Sequence, residues 1–426
     1  MPDRYRQVLD GLYALEARRG MDFRLERLQP VLDALGRPER SFPAVVHLAG
    51  TNGKGSTAAM IDAALREGGH RTGLYTSPHL VSFRERIRTG GAAISREAVV
   101  RHVDAVRAAS EKAGAWLTFF EIATIAAFLE FREQQADVVV LEAGLGGRLD
   151  VTNVARGDVA VLTSVGLDHA EFLGSTIAAI AAEKAAIIKP GATAVTGALA
   201  DEAERVVAAR VAEVGATRLA WGRDFHEYAP LAGQRRAAGG KARGLAGGHQ
   251  LRNAAVAAAA VGALGGRFPV PEEACARGIL SVRWPGRLEV LPRRRGDGPL
   301  VLDAAHNPEA ALALALSLDD VAPRRPRVLV FAAMADKDWP AMLASLAPGF
   351  DRVIVTSLPM ARAERPERFL ESVPQAVVAS SPEAALDLAE EAAAAHGSVV
   401  AAGSIFLLGN LYRAAGGTLL EEDLAD

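Results

Sequence analysis

Cysteine is nearly missing from this 426-residue chain, Cys275 being the single one. One thiol excludes an intramolecular disulfide framework and a thiolate metal cluster, so a reducing interior is the natural home. An excess of charge of one sign is missing too. With 48 basic against 51 acidic residues the net charge is −3, which gives no general attraction to nucleic acid or to an anionic membrane. Any polyanion must therefore be held locally. The longest uncharged apolar run, Ala254 to Gly266, is too short to span a bilayer. The N-terminal stretch MPDRYRQVLD carries charges where a secretion signal needs an apolar core. A cytoplasmic protein that engages neither membrane nor nucleic acid is expected.

Apolar residues make up 50% of the chain, enough for sizeable cores, and the length exceeds what one core usually spans. Short β-branched runs alternate with longer helical ones, which indicates a mostly parallel sheet covered by helices. Pro43 to Ala49, Arg71 to Thr76, Asp137 to Glu142 and Asp158 to Ser164 read as strands; Ser56 to Glu67, Arg96 to Gly114 and Phe119 to Gln135 read as helices. Ser175 to Ile188 reads as a helix capped by Ser175 and stopped by Pro190 and Gly191, and Asn253 to Leu264 as another. Between them the Gly-, Ala- and Arg-rich stretch Leu231 to Gly248 reads as a hairpin or mobile loop, or else as an anion-binding segment.

A break in character falls at WPGRLEVLPRRRGDGP, Trp284 to Pro299. It divides the chain into residues 1–286, a linker at 287–298, and a smaller Rossmann-like α/β domain at 299–426 with alternating strands and helices. That last series has no GxGxxG turn, so a dinucleotide is not its evident ligand.

The chemistry is concentrated in GTNGKGST, residues 50–57: Gly50, Thr51, Asn52, Gly53, Lys54, Gly55, Ser56 and Thr57. A glycine-rich turn between a strand and a helix points several backbone N–H groups at one spot, sets the positive end of the helix there and adds the Lys54 charge. Charge-assisted hydrogen bonds contribute about 1.5–3 kcal/mol each, so three or four hold a triphosphate. The hydroxyl of Ser56 or Thr57 suits the accompanying magnesium. The spacing departs from GxxxxGK[ST], since two residues separate Gly50 from Gly53 and Gly55 follows the lysine. An ordinary strand-to-helix turn is the competing reading.

This loop resembles that of the Mur ligase superfamily, and the blocks that follow narrow the resemblance. TSPHL (Thr76 to Leu80), LTFFE (Leu117 to Glu121), LEAGLGGRLDVTN (Leu141 to Asn153), TSVGLDH (Thr163 to His169), EKAAIIKPG (Glu183 to Gly191), HQLRNAAVA (His249 to Ala257), WPGRLE (Trp284 to Glu289), DAAHNP (Asp303 to Pro308) and AGSIFL (Ala402 to Leu407) are similar, in order, to the folylpolyglutamate and dihydrofolate synthase pattern. The resemblance implies an N-terminal ATPase domain of Mur ligase type, a C-terminal glutamate-ligase domain and a monomer. Cell-wall ligases carry a further nucleotide-binding domain ahead of the phosphate loop, and 49 residues before Gly50 leave no room for one.

By the same resemblance Glu142, Ser77 and His169 are implied as ligands of two Mg²⁺ ions, Glu142 beside the ATP phosphates and His169 at a second site. Read alone, Ser77 is equally a turn serine before Pro78 and His169 a core histidine. An imidazole ligand also suggests that Mn²⁺ substitutes. Lys184 is implied to be carbamylated by CO₂; on composition it is a solvated helix lysine. Asn253 and Asp303 are implied to contact adenosine and Arg287 the phosphates, with the nucleotide bridging both domains and closure excluding water. His306 and Ser404 are implied on the glutamate side, His306 as proton acceptor; a helix cap is the other reading of Ser404. For the pterin side the resemblance points to Thr118, Phe120 and Glu121 with Leu149, Asp150 and Val151, Phe120 being otherwise a core aromatic. LDVTN stands here where bifunctional members often read LDATN.

The expected reaction is phosphorylation of a folate or dihydropteroate carboxylate by ATP, followed by attack of the glutamate amine on the acyl phosphate, with Lys54 and Mg²⁺ neutralising the transferred group. The alternatives are a cell-wall amino-acid ligase, a kinase or mechanical NTPase, and a nucleotide-gated binding protein without turnover.

Overall fold

The computed structural model describes residues 4–18, 25–228 and 244–414. These fall into two compact units, one of residues up to 79, 83–239 and 252–282, the other of residues 80–82, 240–251 and 283 onward. Among the described residues no helix is long and apolar enough to cross a membrane. Of the Gly-, Ala- and Arg-rich stretch expected as a hairpin or loop, residues 231–243 lie outside the described residues.

The first unit is built on eight strands: β1 (Ala44–Ala49), β2 (Thr72–Tyr75), β3 (Ile87–Thr89), β4 (Ala92–Ala93), β5 (Val138–Glu142), β6 (Val159–Leu162), β7 (Thr193–Thr196) and β8 (Thr217–Ala220). Their order is β4-β3-β2-β5-β1-β6-β7-β8, parallel except for the β2–β3 and β3–β4 pairs. The central β1, β5 and β6 are buried along their whole length, as parallel strands covered on both faces must be. The chain passes from β5 on one side of β1 to β6 on the other, and ligands of open α/β sheets bind beyond the carboxyl ends of the strands at such a reversal. Register sets Leu48 of β1 beside Glu142 of β5 and Ala49 beside Leu162 of β6. The residues that follow β1, β5 and β6 are therefore neighbours.

The helices of this unit are α1 (Arg4–Arg18), α2 (Gln29–Ala34), α3 (Lys54–Glu67), α4 (Arg96–Lys112), α5 (Phe119–Glu133), α6 (Ala170–Leu173), α7 (Ile177–Ala185) and α8 (Asp201–Val214), with α9 (Gly248–Ala263) from Arg252 on and α10 (Glu272–Ser281). A methyl added at Gly278 of α10 would lie 2.5 Å from the Ala63 carbonyl of α3, so the two helices meet backbone to backbone.

Among the helix boundaries that differ from the sequence reading are those of α7 and α9. Helix α7 is capped by Thr176, whose Oγ1 accepts the Ala179 N–H at 3.2 Å, and not by Ser175; it ends at Ala185, which puts Lys184 in its last turn rather than in mid-helix. Both hydroxyls suit a cap, and the extended backbone at Thr176 decides between them. Helix α9 begins at Gly248, leaving Asn253 inside the helix and not at its head. Gly247, at φ +93°, makes the turn that launches it.

The second unit holds β9 (Glu289–Pro292), β10 (Pro299–Leu302), β11 (Arg327–Phe331), β12 (Arg352–Thr356), β13 (Val377–Ala379) and β14 (Ser398–Ala402), in the order β13-β12-β11-β14-β10-β9. All pairs are parallel except β9 with β10. The Pro- and Arg-rich stretch thus contains an edge strand that its composition does not announce. Helices α11 (Pro308–Ala315), α12 (Leu318–Val321), α13 (Trp339–Leu346), α14 (Pro382–Ala392) and α15 (Ile405–Ala414) cover the sheet. One face packs Phe331, Trp339 and Phe369, the other Leu407, Leu411 and Leu386.

Candidate active site

Residues 50–53 leave β1 and turn into α3, whose first residue is Lys54. The turn is tied to the end of β6: the Thr51 N–H donates to Ser164 O at 3.0 Å, the Asn52 N–H to Ser164 Oγ at 2.9 Å, and the Thr163 hydroxyl to Asn52 O at 2.6 Å. These bonds consume donors of residues 51 and 52 and fix the loop before any ligand arrives. Gly53 stands at φ +87°, and a side chain there would also press on Asn253 Oδ1, 2.7 Å from where Cβ would lie. The structure therefore brings Asn253 to the loop. Gly55 and Ser56 are buried, and Thr57 Oγ1 is buried with no partner among the described residues.

Lys54 Nζ donates to Gly50 O at 2.8 Å and Thr51 O at 3.3 Å. From the last turn of α7, Lys184 Nζ reaches the same Gly50 carbonyl at 3.1 Å. Lys184 is only 4% exposed, so the solvated reading fails. Burial, and then the Lys54 charge, bring its pKa down to about 7. Asp168 and Asp150 act in the opposite sense.

Glu142 ends β5 and is buried; a carboxylate oxygen accepts the Ser77 N–H at 3.0 Å. His169 has φ +52° and a side chain 39% exposed, so it is not a core histidine. Its N–H donates to Asp168 Oδ1 at 2.9 Å. Among the described residues no three of His, Cys, Asp and Glu gather into a metal cage. A carboxylate next to a serine is part of an oxygen donor set of the kind Mg²⁺ or Mn²⁺ uses when phosphate and water complete the shell.

Thr118 and Glu121 are occupied structurally. Thr118 caps α5, and the two form a capping box: Thr118 Oγ1 accepts the Glu121 N–H at 3.3 Å and Glu121 Oε2 accepts the Thr118 N–H at 2.7 Å. Arg27, which the sequence reading missed, grips both Glu121 oxygens at 2.5 and 2.6 Å and also donates to Trp116 O. The Phe120 ring lies against the backbone of Gly144, where a methyl would come within 2.4 Å of Cζ. Phe120 therefore borders the Gly-rich turn that carries Leu149, Asp150 and Val151. Asp150 and Val151 are buried and Leu149 half-buried. Asp150 Oδ2 accepts the Leu145 N–H at 2.9 Å and Oδ1 accepts from Thr152 N–H at 2.9 Å and hydroxyl at 2.5 Å.

In the second unit Asp303 follows β10, its carboxylate accepting the Leu288 and Ala305 N–H groups at 2.8 and 3.0 Å. Burial raises its pKa, and the nearby Arg287 partly offsets this. His306 Nδ1 lies 2.9 Å from Ala304 O, so that nitrogen carries the proton and Nε2 is the basic one. Ser404 accepts the Phe406 N–H at 3.2 Å and caps α15.

Two family models match the chain: the Mur ligase middle domain over residues 48–261 and the Mur ligase glutamate ligase domain over 286–405. A dihydrofolate synthase/folylpolyglutamate synthase of Mycobacterium tuberculosis is 37% identical over 392 residues, covering 83% of this chain and 79% of its own. The chain belongs to the folylpolyglutamate synthase/dihydrofolate synthase family. Among solved members, M. tuberculosis folylpolyglutamate synthase complexed with ADP superposes with a TM-score of 0.87 at 32% identity, covering 97% and 99% of the two chains. A bifunctional member with Mn, AMPPNP and L-glutamate bound superposes at 0.84 and 32%, over 96% and 97%.

Gly53→Ala tests the phosphate turn of this family member. Strain from the left-handed backbone costs on the order of 1–3 kcal/mol, so nucleotide affinity is expected to fall about ten- to a hundredfold, read by titration calorimetry, while the thermal midpoint moves by only a few degrees.

Proposed function

We propose that the chain is an ATP-dependent ligase that forms an amide between glutamate and the carboxylate of a folate or dihydropteroate. The observation that carries this is the convergence of Lys54 and Lys184 on the Gly50 carbonyl, at the sheet's reversal point and two residues beyond the Leu48–Glu142 pair, within a member of this family. Residues 1–286 would bind ATP and activate the acid and 299–426 would receive glutamate, the stretch 287–298 that links them also supplying the edge strand β9.

Expelling oxide from a carboxylate is prohibitive, so the acid is activated first. A carboxylate oxygen attacks the γ-phosphorus, ADP departs, and an acyl phosphate results. Lys54 and the first N–H groups of α3 stabilise charge on the transferred group. The glutamate nitrogen then attacks the acyl carbon, its proton passes to a base, and phosphate leaves as the amide forms. His306, basic at Nε2, is our choice of acceptor, with Ser404, already a helix cap, the second glutamate contact.

Arg287, Asp303 and Asn253 are assigned to the nucleotide, and Phe120, Leu149 and Val151 to the pterin acid. Thr118, Glu121 and Asp150 act on that site by holding its two walls. Glu142 and Ser77 would hold one Mg²⁺ and His169 a second, Mn²⁺ being able to substitute; when bound, the ions neutralise phosphate charge. At a pKa of about 7 roughly half of Lys184 is the neutral amine at pH 7, the form whose nitrogen adds to CO₂ with loss of a proton. The carbamate so made is an anion able to help hold a metal.

The test measures ADP release with ATP, glutamate and either dihydropteroate or a reduced folate, with mass spectrometry of the product. ADP is expected only when both the amino acid and a pterin acid are present. Turnover that survives omission of either would remove the ligase reading in favour of an NTPase.

A further inference from the structure

His47 is wholly buried in the middle of β1, three residues before the phosphate turn, and no step of the reaction uses it. Its Nε2 lies 2.8 Å from Thr152 Oγ1, and its Nδ1 is buried with no partner among the described residues. Thr152, also wholly buried, lies 2.5 Å through its hydroxyl from Asp150 Oδ1. Two oxygens that close need a proton between them. Burial raises the Asp150 pKa, but its oxygens accept the Leu145 and Thr152 backbone N–H groups, which oppose that rise and suit the ionised form. The shared proton is therefore that of Thr152. A hydroxyl has one proton to give, so toward His47 the Thr152 oxygen accepts, and Nε2 is the protonated nitrogen. The reverse direction would require a protonated Asp150 and would strand an N–H at Nδ1 in the core, a costlier orphan than a bare lone pair.

The chain of bonds thus runs one way, from His47 through Thr152 to Asp150. At its far end Asp150 clasps both ends of the Gly-rich turn through the Leu145 N–H and starts the short 3₁₀ turn Val151–Val154. We infer that His47 is a positioning residue for the pterin-acid site: by donating from Nε2 to Thr152 it orients the hydroxyl that holds Asp150, and so fixes Leu149 and Val151. The inference rests on the ligase reading for the identity of the ligand, and on geometry alone for the tautomer. Burial, with the Lys189 charge adding to it, lowers the His47 pKa to about 3, which keeps the ring neutral and the direction fixed at working pH.

Two measurements test it. Nitrogen-15 NMR of the wild-type histidines is expected to show one ring protonated at Nε2, bare at Nδ1 and unchanged from pH 5 to 8, that signal being assigned by its loss in His47→Gln. A His47 protonated at Nδ1, or titrating in that range, overturns the proposal whether or not the chain is a ligase. Steady-state kinetics follow once wild-type turnover has decided the ligase reading separately. His47→Leu is expected to raise KM for the pterin acid about tenfold and leave KM for ATP within twofold. His47→Gln, whose amide nitrogen can stand where Nε2 stood, should restore KM to within about threefold of wild type. Thr152→Val should match His47→Leu, and the double variant should be no worse than either. A glutamine variant no better than leucine, or equal rises in both KM values, would leave His47 as core packing only.

Discussion

Lys54→Ala is expected to lower the rate of ATP turnover by about a hundred- to a thousandfold, the range found when one fixed donor to a transition-state charge is removed. The side chain is half-buried, and its bonds to Gly50 O and Thr51 O lie within the loop that it follows. Strand β1 is held by its own buried residues, so the fold should survive with a thermal midpoint within a few degrees of wild type. Lys54→Arg should rescue little, because a planar fork does not occupy the place of a compact ammonium between two carbonyls. Single-turnover ADP release, with the midpoint measured alongside, decides the matter. A near-normal rate in the alanine variant would show that residues 50–57 are an ordinary turn.

Lys184→Ala should be nearly as damaging to activity, and for a different reason. Its amine is proposed to become an anion, so short carboxylates such as formate should restore part of the lost rate, as they cannot for Lys54→Ala. Mass spectrometry under CO₂ should show a labile adduct in the wild type alone. A fully active alanine variant and no adduct would remove the carbamate. The buried amine also has a stability signature. Its folded pKa of about 7 lies below the 10.5 of an unfolded lysine, so between these values the unfolded chain binds more protons and stability rises with pH. Below about pH 7 both states are protonated and the penalty of the buried charge is fully present. Lys184→Met should flatten this dependence in denaturant titrations at pH 7 to 9.

The central strands β1, β2, β5 and β6 were legible because parallel strands buried on two faces write themselves as unbroken apolar runs, as DVVVLE and DVAVLTS do, whereas β3, β4, β8 and β9, at or next to the sheet edges, were not. The phosphate turn was legible because its glycines, lysine and flanking elements sit together in sequence. Lys184 was not: AAEKAAIIKPG reads as a surface helix, and what buries its amine is a carbonyl 134 residues away. The structural use of Glu121 was half visible in the Thr118-x-x-Glu121 spacing, while Arg27 gave no signal, being 94 residues distant. His47 looked like one more member of a buried strand. Its partner is 105 residues off, beyond what periodicity can report. Helix starts failed where two adjacent residues suited one role, as at Ser175 and Thr176.

The seam where Gly278 meets the Ala63 carbonyl has a mechanical meaning for the anion grip at the opposite end of α3. Ala63 and Lys54 are nine positions apart on that helix, about 14 Å at its usual rise. Held there backbone to backbone, the helix has no room for a side chain, and a methyl wedged into the seam would push it sideways off α10. The glycine thus sets how closely the element that carries Lys54 can lie against its neighbour, far along the chain from the turn itself.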